Sequence, residues 1–214
     1  MILYISTSSA KASVGVEDPL SKDFLFLESS EPKEHADFIV RAYITLQKKS
    51  NPPVRNPSLI VVDTGPGSFT GLRVAVSFVR AWSFVTKIPI VPLSSFNAIE
   101  AQVRENEWIV VNAHRQSLFV QFRTGFYDLL SVTDLIKKLE GSSQSIMLKG
   151  DGIEFYRLQD TILKMGHRFE PRLPHVIELR KYYHRQREVV KQVTWKELVP
   201  NYAVECSKLF SPGT

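Results

Sequence analysis

One cysteine, Cys206, is all the sequence contains, so an internal disulfide is excluded, and no cysteine–histidine cluster has zinc-site spacing. That usage fits a reducing compartment, and a cytoplasmic location is expected. No apolar run approaches the ~20 residues that a membrane-spanning helix needs, so no membrane partner is expected. Met1 leads directly into Ile2-Leu3-Tyr4-Ile5 with no basic or apolar leader, which argues against a signal peptide. The histidines, His35, His114, His167, His175 and His184, include no pair spaced i, i+4. A helical two-histidine metal clamp is therefore missing, no metal is expected, and each reads as a surface or helix-end histidine. Low-complexity tracts and sequence repeats are also missing. The 214 residues, 43% hydrophobic, suffice for one sizeable domain or two small lobes. A net charge of +5 and a pI near 9.3 are compatible with nucleic acid nearby without establishing it.

What is present centres on Asp63-Thr64-Gly65-Pro66-Gly67-Ser68-Phe69-Thr70-Gly71-Leu72-Arg73. An apolar strand, Leu59-Ile60-Val61-Val62, enters this stretch, and an apolar helix over about 72–85 leaves it. Gly65 and Gly67 tolerate positive φ and Pro66 fixes its own φ, which forces a sharp turn. Ser68 or Thr70 is placed to cap the first helical turn. Gly71 leaves room for another backbone or a partner. Three readings are open here. One is a phosphate cradle at a helix N-terminus, although the Gly-Lys-Ser/Thr ending of a P-loop is missing. Another is a plain strand-to-helix turn of an α/β domain. The third is a surface on which a partner helix packs, and the helix itself favours it. Arg73, Ser77 and Arg80 form one narrow polar stripe, while Val74, Ala75, Val76, Phe78, Val79, Ala81, Trp82, Phe84 and Val85 fill almost everything else. One sheet face needs an apolar stripe only ~100° wide, so a second apolar neighbour is implied.

Along the rest of the chain, 2–6, 13–17 and 23–28 read as an antiparallel meander. A helix over about 34–48 follows, with Phe38, Ile39, Val40, Ala42, Tyr43, Ile44 and Leu46 again wrapping more than one face. Residues 51–57 form a stiff proline-rich loop. A strand at 88–92 leads to a helix capped by Ser94 or Ser95 and running to about Val103. Meander, helix, strand, helix, strand, helix is the element order of the RNase H-like lobe of actin-like ATPases, an analogy at the level of fold. A second lobe is expected from about 104: strands at 108–111, 118–123 and 126–131, a helix at 132–140 and a strand at 145–148. The division is thus 1–103 and 104–214, the second lobe a reduced copy. Basic residues dominate 164–196, among them Arg168, Arg172, Arg180, Lys181, Arg185, Arg187 and Lys191, with Tyr182 and Tyr183 between them. This run is a solvated helix face or an RNA contact.

The run Gly65-Pro66-Gly67-Ser68-Phe69-Thr70-Gly71-Leu72-Arg73-Val74 resembles the loop of the bacterial TsaB family, also called YeaZ. Similarity continues through Lys87-Ile88-Pro89-Ile90-Val91-Pro92-Leu93-Ser94-Ser95-Phe96. Weaker likeness covers 2–16, Glu34-His35, Asn112-Ala113-His114-Arg115, Lys149-Gly150-Asp151-Gly152 and Pro200-Asn201-Tyr202. The resemblance implies an α/β, actin-like ATPase (ASKHA, RNase H-like) fold of two lobes with mixed sheets, the second reduced. It also implies a non-catalytic scaffold and activator subunit in the synthesis of N6-threonylcarbamoyladenosine in tRNA. Its partners would be the catalytic paralogue TsaD and the ATPase TsaE, with tRNA reached only indirectly. The expected docking residues are Phe38, Ile39, Ala42, Tyr43 and Leu46 on the first helix, and Gly71, Leu72, Ala75, Val76, Phe78, Val79 and Trp82 on the second. Without TsaD the same faces are expected to form a homodimer. Asp63, Gly65, Pro66, Gly67, Ser68, Phe69, Thr70 and Arg73 are assigned to the structure of the loop.

An actin-like ATPase needs carboxylates to hold Mg²⁺ near the phosphates. The resemblance places them at the first hairpin and at its second-lobe equivalent, where the family commonly has Asp. Here Ser6 and Asn112 stand at those places, and the first hairpin lacks the glycine that lets backbone approach phosphate. No catalytic residue and no cofactor is therefore expected in the isolated subunit. A nucleotide at the subunit boundary of the complex stays open. Asp63 has no titratable neighbour in sequence, so it reads as a hydrogen-bonding turn residue rather than a general base. Ser68 and Thr70 lack a His/Asp partner, and Asp151 beside Gly152 reads as a turn. The alternatives are an actin-like phosphotransferase or ATPase, a peptidase, or an RNA-binding module working through 164–196.

Overall fold

The computed structural model describes residues 1–30, 35–50, 56–99 and 102–201, with His114 by its backbone alone. The expected helix start at Glu34, the loop residues 51–55, and Tyr202 and Cys206 lie outside the described residues.

Three antiparallel strands open the chain: β1 (Ile2–Ser6), β2 (Ser13–Glu17) and β3 (Phe24–Glu28). Helix α1 (His35–Lys49) crosses to β4 (Leu59–Asp63), parallel to β1. Helix α2 (Phe69–Thr86) then crosses to β5 (Ile90–Leu93), parallel to β4, giving the order β3-β2-β1-β4-β5. Every residue of β1, β2 and β4 is buried, as expected for strands covered on both faces. Alternation sorts their side chains. Leu3, Ile5, Ile60 and Val62 face α1 and α2, whereas Ile2, Tyr4, Leu59 and Val61 face the other side.

The short helix α3 (Ser95–Ile99) leads to the second sheet, built from β6 (Glu107–His114), β7 (Ser117–Arg123), β8 (Phe126–Ser131), β9 (Met147–Lys149) and β10 (Arg168–Glu170). Helix α4 (Val132–Glu140) precedes β9, and α5 (Gly152–Phe155) and α6 (Gln159–Lys164) precede β10. The order β8-β7-β6-β9-β10 repeats that of the first sheet, antiparallel meander and then two parallel crossovers. Among the described residues each sheet has five strands. The reduction lies in lengths: β9 and β10 have 3 residues each and α5 has 4.

Helix α7 (Val176–Gln186) returns to the first sheet, whereas the sequence placed everything after 104 in the second lobe. Its Val176, Leu179 and Tyr183 join Ile2, Tyr4, Leu59 and Val61 in one core. The physical reason is coverage: five-residue α3 is too short to hide that face alone. The segment after α7 continues the return. Val193 and Ile90 exchange backbone hydrogen bonds of 2.7 and 3.1 Å, and Leu198 is buried beside α1 and α2. Phe84 near the end of α2 meets Trp195 edge-on at 4.9 Å. Part of the surplus apolar surface of α2 is thus covered by the chain's own C-terminal segment.

A buried carboxylate ties α7 down. The Glu17 side chain is 0% exposed. It accepts hydrogen bonds from Tyr4 Oη at 2.6 Å and Arg180 Nη2 at 2.8 Å, and His184 Nε2 lies 2.9 Å from both its oxygens. Burial pushes the Glu17 carboxyl up, but the bonds from Tyr4, Arg180 and His184 outweigh it and hold the group below its ordinary value. Its stabilisation is therefore present above the ordinary carboxylate pKa and is lost as pH falls through the lowered one. Arg180→Ala should cost about 3 kcal/mol in urea unfolding, because it strands a buried charge. Hydrogen exchange should show the loss centred on α7; an unchanged urea midpoint would sink this prediction.

Among the described residues no helix is long and apolar enough to cross a membrane.

Candidate functional site

Strand β4 ends on Asp63, which is completely buried. Its Oδ1 accepts hydrogen bonds from Ser95 Oγ at 2.6 Å and from the Gly65 N–H at 2.9 Å. Its Oδ2 takes Ser6 Oγ at 2.9 Å and the hydroxyl of Ser8. Burial pushes this carboxyl up, and the four donors work against that rise. One side chain thereby gathers the end of β1, the first hairpin, the glycine turn and the start of α3. The three serines come from distant positions, so chain spacing carries no signal for them.

The loop closes on the first hairpin. Helix α2 starts at Phe69, three residues before the expected point, with Ser68 rather than Thr70 as its cap: the Gly71 N–H donates to Ser68 Oγ at 3.3 Å. The Ser68 N–H donates to the Ser8 carbonyl at 2.6 Å, and Thr7 Oγ1 donates to the Gly71 carbonyl at 2.7 Å. A Cβ on Gly71 would sit 1.9 Å from the Thr7 carbonyl oxygen. Gly65 has φ +102°, and Pro66 beside it is buried. Gly67 and Ser68 are half-buried, while Phe69, Thr70 and Arg73 are exposed, the Arg73 guanidinium 5.3 Å from the Phe69 ring centre. Of the backbone donors that a phosphate cradle could use, those of Gly65, Ser68 and Gly71 are taken by the chain itself. Ser6 is also enclosed, its Oγ 2.9 Å from the Pro174 carbonyl oxygen.

The docking residues expected from sequence divide in two. Ile39, Ala42, Tyr43, Leu46, Gly71, Leu72, Ala75, Val76 and Val79 are buried within this chain. Phe38, Phe78 and Trp82 are half-buried against the same core. Trp82 packs edge-on against Tyr43 at 4.6 Å and Phe78 at 5.3 Å, which joins the two helices. The outward surface belongs to residues outside that expected set: Val40 and Ile44 on α1, 44% and 43% exposed, and Ala81 and Val85 on α2, with half-buried Val74 and Phe78 beside them. At 100° per residue these positions line a seam along the outside of the helix pair. Helical periodicity revealed the excess of apolar positions. Which of them faced the sheet required the sheet.

In the second lobe Asn112 is nearly buried, and its N–H donates to Asp151 Oδ1 at 3.0 Å. Burial pushes the Asp151 carboxyl up to about 6, against the bond from Asn112. A raised folded pKa means that the native chain keeps its proton longer than the unfolded chain. Stability is then greatest below the ordinary carboxylate pKa and falls as pH rises through about 6. Asp151→Asn keeps an acceptor for Asn112 and removes the charge. It should stabilise the chain at pH 7 by on the order of 1–3 kcal/mol and flatten the melting-temperature profile between about pH 4 and 6. A variant less stable at pH 7 would contradict this.

Among the histidines, His35 opens α1 and His175 caps α7, both at helix ends as expected, and His167 departs by being buried outside a helix. His35 and His167 are buried, the latter bridging the Ile146 N–H and the Leu139 carbonyl at 3.1 Å each. His175 does cap a helix end, its Nδ1 accepting from the Ile177 N–H at 3.2 Å.

A family model described as TsaD, tRNA N6-adenosine threonylcarbamoyltransferase, matches residues 30–148, more than half of the chain. The chain belongs to that family. Within the TsaD family its likeness is to TsaB (YeaZ), as the glycine loop had indicated. A Bacillus subtilis (strain 168) protein named tRNA threonylcarbamoyladenosine biosynthesis protein TsaB is 27% identical over 151 residues, 61% of this chain. The match spans 62% of the length of that relative. Two structures from Pseudomonas aeruginosa share the fold at 18% identity, each over 93% of this chain and 97% of the other. One is described as an uncharacterized protein with similarity to peptidase YeaZ, with TM-score 0.71, and the other as YeaZ, with TM-score 0.67. The TsaD-family match runs from just before α1 to β9, so it takes in the glycine loop and the α1–α2 seam.

Proposed function

We propose that this chain is a non-catalytic subunit that docks its α1–α2 seam onto a TsaD-type catalytic partner in the synthesis of N6-threonylcarbamoyladenosine in tRNA. The observation that carries the reading is the apolar seam of exposed Val40, Ile44, Ala81 and Val85 with half-buried Val74 and Phe78 between the helices. Apolar surface contiguous along two helices is characteristic of protein contact. The name of the B. subtilis relative supports the pathway. Closure of the glycine loop on Thr7 and Ser8, with Ser6 and Asn112 in place of carboxylates, supports the lack of catalysis. The subunit brings no cofactor of its own, and a TsaE-type ATPase joins the assembly in the cytoplasm. Co-expression with the TsaD-type paralogue of the same organism, followed by size-exclusion chromatography, tests this. A stoichiometric complex is expected, together with no ATP turnover by the chain alone. Separate elution of the two proteins, or tight Mg-ATP binding with turnover by the isolated chain, would overturn the reading.

A further inference from the structure

Past α7 the chain runs back along the first lobe and reaches the junction of the two lobes at Asn201. Leu198 is anchored in the core beside α1 and α2, and Trp195 lies against Phe84 of α2. Three residues beyond Leu198, Asn201 touches both lobes. Its N–H donates to the Thr64 carbonyl at 2.7 Å, and its Oδ1 accepts from Tyr127 Oη of β8 at 3.2 Å. The backbone it meets is already fixed. The Thr64 N–H and hydroxyl both donate to the Leu93 carbonyl, and the Ser95 N–H donates to the Gly65 carbonyl. A Cβ on Gly65 would stand 2.8 Å from the Asn201 carbonyl oxygen, so the turn presents bare backbone where Asn201 crosses it. Pro200 has no N–H and a fixed φ, which stiffens the approach.

We propose that Asn201 is a latch that closes the space between the lobes over the glycine turn, and that its release lets the second lobe turn away. The first hairpin seals one side of the turn through Thr7 and Ser8. Asn201 seals the side that faces the second lobe. Its grip is two hydrogen bonds, each of modest net worth because water replaces them on release. The lobe contact beside it is of another kind. Phe96 and Ile99 of α3 pack with Ile109, Val111 and Phe119 in one apolar cluster, and the Tyr127 ring borders it, 5.0 Å from Phe96. Apolar contact is non-directional, whereas a hydrogen bond weakens steeply with angle. The cluster is therefore the pivot and Asn201 the catch. While the catch holds, one short segment ties α2 to the second lobe and the two move together. Hinge motions of this kind are absorbed by a few residues at the ends of elements.

The test uses the full chain with nitroxide spin labels at Lys48→Cys on α1 and Lys137→Cys on α4, both exposed positions, in a Cys206→Ser background. Pulsed dipolar spectroscopy should give one narrow distance between the lobes. Asn201→Pro removes the N–H and the side-chain acceptor together. It should raise the fraction of molecules at a second, longer distance by about tenfold or more. Tyr127→Phe keeps the ring in its cluster and should give a smaller shift of the same sign. Val199→Ala, beside the latch and 64% exposed, should leave the distance unchanged. A circular dichroism melt of each variant separates release of the latch from loss of the fold. A single unchanged distance in both Asn201→Pro and Tyr127→Phe would overturn the proposal. So would a broad distribution before any latch residue is replaced, or a shift in Val199→Ala equal to that of Asn201→Pro.

Discussion

Replacing Ile44 with aspartate is expected to weaken capture of a TsaD-type partner by at least ~30-fold, the effect of losing one interface hot spot of about 2 kcal/mol. The fold should survive, because Ile44 is 43% exposed and borders solvent. In the docked state the new carboxylate would be buried against an apolar stripe, which costs far more than the lost contact alone. Val40→Asp, at 44% exposure, should behave in the same way. Phe78→Asp should add some loss of stability, since the ring packs on Trp82 at 5.3 Å. Val76 makes an instructive contrast. It is 3% exposed in the core beneath α2, so Val76→Asp should unfold the chain and reports nothing about docking. Pull-down with the partner, paired with a circular dichroism melt, separates these cases. Intact complexes for both Val40→Asp and Ile44→Asp would refute the seam as the interface.

Gly71→Ala should be among the most damaging single-methyl changes in the molecule, with a loss of about 3 kcal/mol or more in urea unfolding. The added Cβ would fall 1.9 Å from the Thr7 carbonyl oxygen. That atom is backbone, fixed in turn by the Thr7 hydroxyl on the Gly71 carbonyl. Relief requires α2 to move off the first hairpin, which pulls the Ser68 N–H from Ser8 and disturbs the serines around Asp63. Gly141→Ala is the matched control. Gly141 has φ −78°, and a Cβ there would meet nothing nearer than 3.7 Å. That variant should stay within about 0.5 kcal/mol of wild type or gain slightly. Equal stabilities for the two variants would mean that the hairpin yields easily and that the loop is not the rigid joint described above.

Much of this molecule was legible because its signals are local. Short strand-forming runs bounded by polar turns placed β1, β2 and β3 to within a residue, and the Gly65–Gly71 run marked where β4 gives way to α2. The missed start of α2 is a capping question: Ser68 and Thr70 both suit a cap, and the choice followed from which backbone the first turn met, that of Thr7 and Ser8. Asp63 was legible as a hydrogen-bonding residue, yet Ser6, Ser8 and Ser95 were not legible as its partners.

By itself the sequence determined the element order and the surplus of apolar helix surface, because each depends on residues close together in the chain. Only the tertiary structure decided that Val76 lies inside and Ile44 outside, that α7 returns to the first sheet to meet Glu17, and that the glycine loop closes on its own hairpin. Each of those outcomes is a contact between elements far apart in sequence. Two apolar residues on one helix look alike until a sheet arrives to cover one of them.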